Sequence, residues 1–256
     1  MAGKGGRFLL DRFRHEALDE VGSTNSECFA RARAGDPGLL WLTASRQTAG
    51  RGRRGRAWMS EPGNLYASLL LIDAAPSERV GSLPLAVAVA VHAALSAVLP
   101  PGHAPLEVKW PNDILIGRRK TCGILLEAEA LADGRRALVI GIGINIRHMP
   151  DAAPYGVTRL ADHGVSASPQ EVFAYLYKEM AQVLESWNEG LGTPEITDRW
   201  RRIACGMGEN IRVNLPDRSL VGTFAGIDDK GFLMLKTGQG APIAVAAGDV
   251  FFQGME

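Results

Sequence analysis

Leu106 to Trp110, Asp113 to Ile116 and Lys120 to Ala130 read as three strands with no room for a helix between any two of them. Gly117-Arg118-Arg119 makes the tight turn that joins the last two as a hairpin, and strands this closely spaced argue for antiparallel or mixed pairing. Leu39 to Ala44, Asn64 to Leu71 and Ala137 to Ile146 supply further strands. The helices collect elsewhere. One starts at Thr24, which is placed to cap it while Glu27 reaches back, and stops at Gly35. A second fills the alanine-rich run Leu83 to Leu99, just below the length of a membrane span and readable as a buried helix. A third opens at the cap-and-proline pair Ser168-Pro169 and runs to about Glu189, and a short fourth lies near Glu195 to Ala204. This ordering predicts an α+β domain on a mixed or antiparallel sheet.

The last fifty or so residues change character. Ile211 to Val213, Leu220 to Ile227, Phe232 to Leu235 and Ile243 to Ala246 are short strands divided by turn residues such as Asp228 to Gly231, the pattern of a small all-β barrel. The boundary is expected near Cys205, giving a main domain of residues 1–205 and a barrel of 206–256.

Lysine plus arginine number 28, and aspartate plus glutamate also 28, so no overall field draws in nucleic acid or an anionic membrane, and any basic function must be local. Cys28, Cys122 and Cys205 are far apart and form no Cys-x-x-Cys pair, which suggests neither a disulfide framework nor a zinc site. With no signal-peptide core at the N-terminus, a cytoplasmic protein is expected.

Local basic chemistry is present. Arg46 to Arg56 holds five arginines, three glycines and no acid. With nothing to bury, the segment is expected to be a loop that orders around a ligand. In Gly50-Arg51-Gly52-Arg53-Arg54-Gly55-Arg56, glycines let the backbone approach a ligand and arginines offer planar charged forks for carboxylate or phosphate. Alone, it suits equally a solvated basic loop or an RNA-binding Arg-Gly tract, though it is brief, unrepeated and set between strands. Trp58 follows, as a face for a planar ligand or as core.

Three more segments are ambiguous singly. In Lys109-Trp110-Pro111-Asn112-Asp113 the proline ends a strand and leaves Asn112 and Asp113 at a loop, either to position magnesium on a polyphosphate or as a capped turn. Lys120 and Gly123 open an apolar strand, with Lys120, Cys122 and Ile124 expected on one face, so the lysine either enters a site or guards an edge. Gly141 and Gly143 clear one face of a strand for a ligand or for close packing, and with no helix following they are not a dinucleotide fingerprint.

In order, Ser23-Thr24-Asn25, Gln47 with Gly50 to Gly55, Trp58, Gly63 to Tyr66, Lys109 to Asp113, Lys120-x-x-Gly123 and Gly141 to Asn145 closely resemble the biotin protein ligases, from about Gly22 to Asn145 and more loosely through the C-terminal strands. The resemblance implies a class II synthetase-like catalytic domain with an SH3-like barrel. It also implies ATP and biotin as substrates, Mg2+, biotinyl-5′-AMP as intermediate and a lysine of a biotin carboxyl carrier protein as acceptor.

By resemblance, Ser23, Thr24, Asn25, Gln47, Arg51, Gly52, Arg53, Lys120 and Gly123 bind biotin, and Arg51, Arg53, Arg56, Trp58, Lys109, Asn112 and Asn145 bind ATP. Lys120, Arg53 and Asp113 are the expected catalytic set, with Asp113 and Asn112 near magnesium. The family often pairs sheet to sheet, so a homodimer is expected. Some members carry an N-terminal DNA-binding domain; with only about twenty residues before Ser23, no DNA-binding regulator is expected. A lipoate ligase is the nearest alternative, but its arginine-glycine loop is not of this form.

Overall fold

The computed structural model describes residues 6–151, 153 and 155–252. Its first sheet holds seven strands: β1 (Arg14–Val21), β2 (Leu40–Gln47), β3 (Leu65–Ile72), β4 (Leu106–Lys109), β5 (Asp113–Ile116), β6 (Arg119–Ala130) and β7 (Arg136–Ile144). They lie in the order β1-β2-β3-β7-β6-β5-β4. Only β1 and β2 run parallel; every other pairing is antiparallel, so the sheet is mixed, in line with the crowded strands. The β5–β6 turn places Gly117 at φ 55° and Arg118 at φ 66°, the double left-handed geometry that matches strand twist.

Both faces of this sheet are covered, which is why every residue of β3 is buried. Alternation along the strands sorts the core. Trp41, Leu65, Leu69, Leu71, Ile140 and Ile142 point to the face packed by α2 (Leu83–Val98), α3 (Pro169–Trp187) and α4 (Thr193–Arg202). Leu40, Leu42, Leu70, Ile72 and Val139 point to the other face, against Cys28, Phe29 and Ala32 of α1 (Thr24–Arg33). Helix α1 is short, so the rest of its face is left for a site. Ser168 and Glu171 form the reciprocal cap that starts α3.

With its preceding 3-10 turn, the alanine-rich run Val80–Val98 is long and apolar enough to cross a membrane, longer than expected; here most of it is buried against α3, α4 and the sheet. All three cysteines are free and buried, and burial pushes each thiol well above its ordinary value, Cys205 to about 12.

A second, five-stranded antiparallel sheet follows: β8 (Asn210–Asn214), β9 (Ser219–Ile227), β10 (Leu233–Lys236), β11 (Ile243–Val245) and β12 (Asp249–Phe252), in the order β11-β10-β9-β8-β12. It is anchored to the first sheet at several points, among them Trp110 Nε1, which donates to Gly231 O at 3.0 Å. Strands β1 and β12 were not expected. In β1 the apolar alternation is masked by charge, and most of that edge strand is exposed.

Candidate functional site

The start of α1 corrects one expectation. Thr24 is the first helical residue and Ser23 holds the cap position without a side-chain cap bond. The orphan amide of Thr24 instead donates to Gln47 Oε1 at 2.9 Å, and Thr24 Oγ1 donates to the same oxygen at 3.1 Å. Gln47 Nε2 in turn donates to Ser60 Oγ at 3.0 Å, so the amide is held in one orientation. Glu27 does not reach back; it pairs with Arg31 at 3.2 Å. Behind this cluster Ser68 Oγ lies 2.7 Å from Thr24 Oγ1 and 2.6 Å from Asn25 Oδ1, and Asn25 Nδ2 donates to Glu127 Oε2 at 2.7 Å.

The arginine-glycine segment is more ordered than a bare loop. It folds back as a short hairpin: Arg51 bridges Ala57, Gly52 N donates to Arg56 O at 2.7 Å and Trp58 N to Gly50 O at 2.9 Å. A single 3-10 turn, Arg53–Gly55, forms its tip with Arg54 at φ 55°. The missing acid comes from β12. Asp249 lies 3.6 Å from Arg53, 3.0 Å from Arg54 and 2.9 Å from Arg56, and only 14% of its side chain is exposed. Burial pulls the Arg53 guanidinium below the usual arginine range, opposed by Asp249 and Asp113.

Beyond the hairpin, Trp58 lies flat in the space that two glycines clear. A Cβ on Gly143 would come within 2.5 Å of the indole, and one on Gly123 within 2.9 Å. A Cβ on Gly141 would strike Asn25. These glycines therefore make room for side chains that line the cavity. Trp58 Nε1 is buried beside Gly143 and has no acceptor among the described residues.

Lys120 enters the same cavity by a backbone device. In the β5–β6 ladder Ile114 faces Cys122 while Leu115 faces Lys120, so Thr121 is an extra residue, a bulge. Simple alternation would bury Lys120 with Cys122 and Ile124. The bulge re-aims it, and its Cε lies 3.3 Å from where a Gly123 Cβ would stand. There Lys120 Nζ pairs with Asp113 Oδ1 at 2.7 Å and sits 5.4 Å from the rings of both Trp58 and Tyr155. Burial works to lower its pKa, but the charges of Asp113 and Tyr155 and the hydrogen bond that Lys120 donates to Asp113 outweigh it and hold the ammonium above the usual lysine value. Lys109 differs. It has no ion-pair partner within 4.0 Å among the described residues; its ammonium lies 5.6 Å from the Phe251 ring, and burial lowers its pKa despite Asp113. Asn112 is held at both ends: Oδ1 accepts from Arg53 Nη1 at 3.1 Å and Nδ2 donates to Ile124 O.

One chamber thus gathers a polar end at α1, an indole floor and a cationic end reaching the C-terminal sheet. Residues 34–145 match the biotin/lipoate A/B protein ligase family and residues 206–253 the biotin protein ligase C-terminal domain. The chain is 35% identical to the biotin–(acetyl-CoA-carboxylase) ligase of Paracoccus denitrificans, covering 93% of this chain and 100% of that one.

The chain belongs to the biotin protein ligase family.

The enzyme of the same description from Mycobacterium tuberculosis is 32% identical over 97% of this chain and 90% of its own. The Aquifex aeolicus biotin protein ligase, solved with biotin and ATP, superposes with a TM-score of 0.78 at 28% identity, covering 94% of this chain and 98% of that one.

In this member of the family the cavity is lined by Ser23, Thr24, Asn25, Gln47, Arg51, Gly52, Arg53, Arg56, Trp58, Lys109, Asn112, Asp113, Lys120 and Gly123. Asn145 is not among the lining residues; its Nδ2 donates to Thr158 O at 3.2 Å. Sequence reasoning missed Tyr66, Tyr155, Asp249 and Phe251 in the lining and Glu127 behind Arg51. Glu127 lies on the same strand as Lys120 and Gly123, four residues beyond the motif that they mark. Tyr66 ends the Gly63 to Tyr66 motif, to which the resemblance assigns no role; Tyr155, Asp249 and Phe251 carry no local signal.

Proposed function

We propose that this chain activates biotin with ATP to biotinyl-5′-AMP and transfers the biotinyl group to one lysine of a biotin carboxyl carrier protein. The observation that carries this reading is the convergence of the Arg51–Trp58 hairpin, Lys120 with Asp113, and the Gln47-clamped start of α1 on one chamber. The biotin carboxylate is ionised at neutral pH and needs no base. Its oxygen attacks the α-phosphorus, the bond to the β-phosphate oxygen breaks, and pyrophosphate leaves. What the reaction needs is positive charge where two anions meet. Lys109, Lys120 and Arg53 supply it in a site walled by Trp58 and Phe251, where charge acts more strongly than in water. Ser23, Thr24 and Gln47 suit the neutral ureido ring of biotin. The carrier lysine then attacks the acyl carbon, AMP departs, and the amine loses its proton, with Asp113 as acceptor or orienting group.

Among the described residues no three His, Cys, Asp or Glu side chains gather as a metal cage. That suits magnesium, which keeps its waters and binds through one carboxylate and substrate phosphates. Asp113 fits as that carboxylate. Asn112 Oδ1 already accepts from Arg53 Nη1 and braces that guanidinium, with one lone pair left for the ion. The ion would neutralise polyphosphate charge there.

We divide the chain into a catalytic unit of 1–205 and a C-terminal unit of 206–256, place it in the cytoplasm on its buried free thiols, and expect a homodimer, testable by ultracentrifugation with and without biotin. The deciding experiment is ATP–pyrophosphate exchange that requires biotin and is lost in Lys120→Ala. Exchange indifferent to biotin, or lipoate outcompeting biotin, overturns the assignment.

A further inference from the structure

The charges of the chamber are unevenly compensated. At its α1 end the lining residues are Ser23, Thr24, Asn25, Gln47 and Arg51, with one cation among them. That cation is already neutralised from behind. Arg51 Nη2 donates to Glu127 Oε2 at 3.0 Å and to Oε1 at 3.3 Å, Nε donates to Oε1 at 3.4 Å, and Nη1 donates to Ser26 Oγ at 2.9 Å. Glu127 is held in place by Asn25 Nδ2 at 2.7 Å, and Asn25 by Ser68 at 2.6 Å. At the opposite end four cations, Arg53, Arg56, Lys109 and Lys120, face two carboxylates, Asp113 and Asp249, leaving a net positive region.

We propose that Glu127 is a specificity-determining residue: by neutralising Arg51 it makes the α1 end of the chamber accept an uncharged ligand head and reject an anionic one. This rests on the ligase reading above. A carboxylic acid with a neutral polar head then binds in one direction only, carboxylate toward Lys109 and Lys120. Without Glu127, both ends of the chamber are cationic, and a linear dicarboxylate suits it as well as the substrate does. Glu127 acts through Arg51 and is a positioning residue, touching no reacting atom.

The test is biotin-dependent ATP–pyrophosphate exchange with nonanedioate as competitor, in wild type, Glu127→Gln, Glu127→Asp and the double variant Glu127→Gln/Arg51→Gln. In Glu127→Gln, inhibition by nonanedioate should tighten about tenfold, the scale of one partly screened charge, and the KM for biotin should rise more than kcat falls. Glu127→Asp should restore discrimination. The double variant should again resist nonanedioate although its biotin KM stays high, an outcome that loss of packing alone does not produce. If Glu127→Gln does not fold, Arg51→Gln alone serves: it leaves Glu127 uncompensated, and aminocaproate, with a cationic head, should become a competitor. Equal nonanedioate inhibition in wild type and Glu127→Gln, or persistent inhibition in the double variant, overturns the proposal; so does indifference of Arg51→Gln to aminocaproate. Exchange in wild type that ignores biotin would instead sink the ligase reading and leave the charge argument standing apart from it.

Discussion

Lys120 Nζ and Asp113 Oδ1 lie 2.7 Å apart, and the two residues meet because the β5–β6 ladder slips by one residue between them. The pairing assigns roles. An ammonium held above the usual lysine value by Asp113 stays charged at neutral pH, so it stabilises phosphate charge and does not accept the carrier lysine's proton. Because its folded pKa is raised, the pair's contribution to stability is complete below the ordinary value of 10.5 and is lost as pH climbs through the folded pKa. Replacing Asp113 with Asn leaves burial unopposed by that charge. The alkaline limb of the adenylation rate should then move down by about 1–2 pH units, measured as biotin-dependent exchange against pH. An unmoved limb would free Lys120 from Asp113's control. In Asp113→Ala, adenylate formation and transfer from preformed adenylate can be measured separately. Normal transfer would remove Asp113 from the second step.

Lys109 gives the opposite pH signature. Burial among Phe251 and its neighbours lowers its pKa, so it loses its proton earlier than an ordinary lysine as pH rises. Binding of a polyphosphate favours the charged form and is favoured by it. The KM for ATP should therefore rise with pH below 10.5, while the KM for biotin follows a different curve. Lys109→Arg, which keeps its charge throughout, should flatten the ATP curve even at reduced affinity. A pH dependence unchanged in that variant would show that another group titrates.

Asp249 joins the hairpin to the C-terminal sheet through three arginines, Arg53, Arg54 and Arg56. Such partly exposed pairs are worth only about 1 kcal/mol to stability, so Asp249→Asn should melt close to wild type. Its effect should fall on retention. With the hairpin tip released, biotinyl-adenylate escapes and labels bystander lysines, as it should in Arg53→Gly. Mass spectrometry of biotinylated lysines on an added neutral protein measures this. Equal, carrier-confined labelling in wild type and both variants would count against the hairpin as a lid.

The sequence made some of this legible and hid the rest for definite reasons. Strand crowding from Leu106 to Ala130 argued for antiparallel or mixed pairing, and the arginine-glycine segment announced itself by composition. The aim of Lys120 was hidden, because alternation put it with Cys122 and only the ladder register shows the bulge at Thr121. The acid that the basic segment lacked was also out of reach: Asp249 lies far along the chain on a strand too short and mixed to be read. The cap of α1 came from Gln47, on a strand rather than at the helix start, so no local pattern pointed to it.

Gly143 sets a last prediction, because its missing side chain and the indole of Trp58 claim the same space. A Cβ there would stand 2.5 Å from Trp58 Cε2 and 2.6 Å from Nε1, closer than carbon atoms tolerate, so in Gly143→Ala the ring must move. The strand need not. Gly143 sits in β7, laddered between Tyr66 of β3 and Gly123 of β6, and alanine is compatible with that extended backbone. The variant should therefore fold, with tryptophan emission altered by the displaced ring, while the KM for ATP or biotin rises about tenfold or more, the cost of roughly 1.4 kcal/mol or more in binding. Trp58→Phe separates the two parts of the indole's work, since it keeps a flat face but removes the Nε1 donor that has no acceptor among the described residues. If that donor meets the ligand, Trp58→Phe loses affinity although Gly143 is intact. If affinity is unchanged, the face alone matters and the unsatisfied nitrogen has no part in binding.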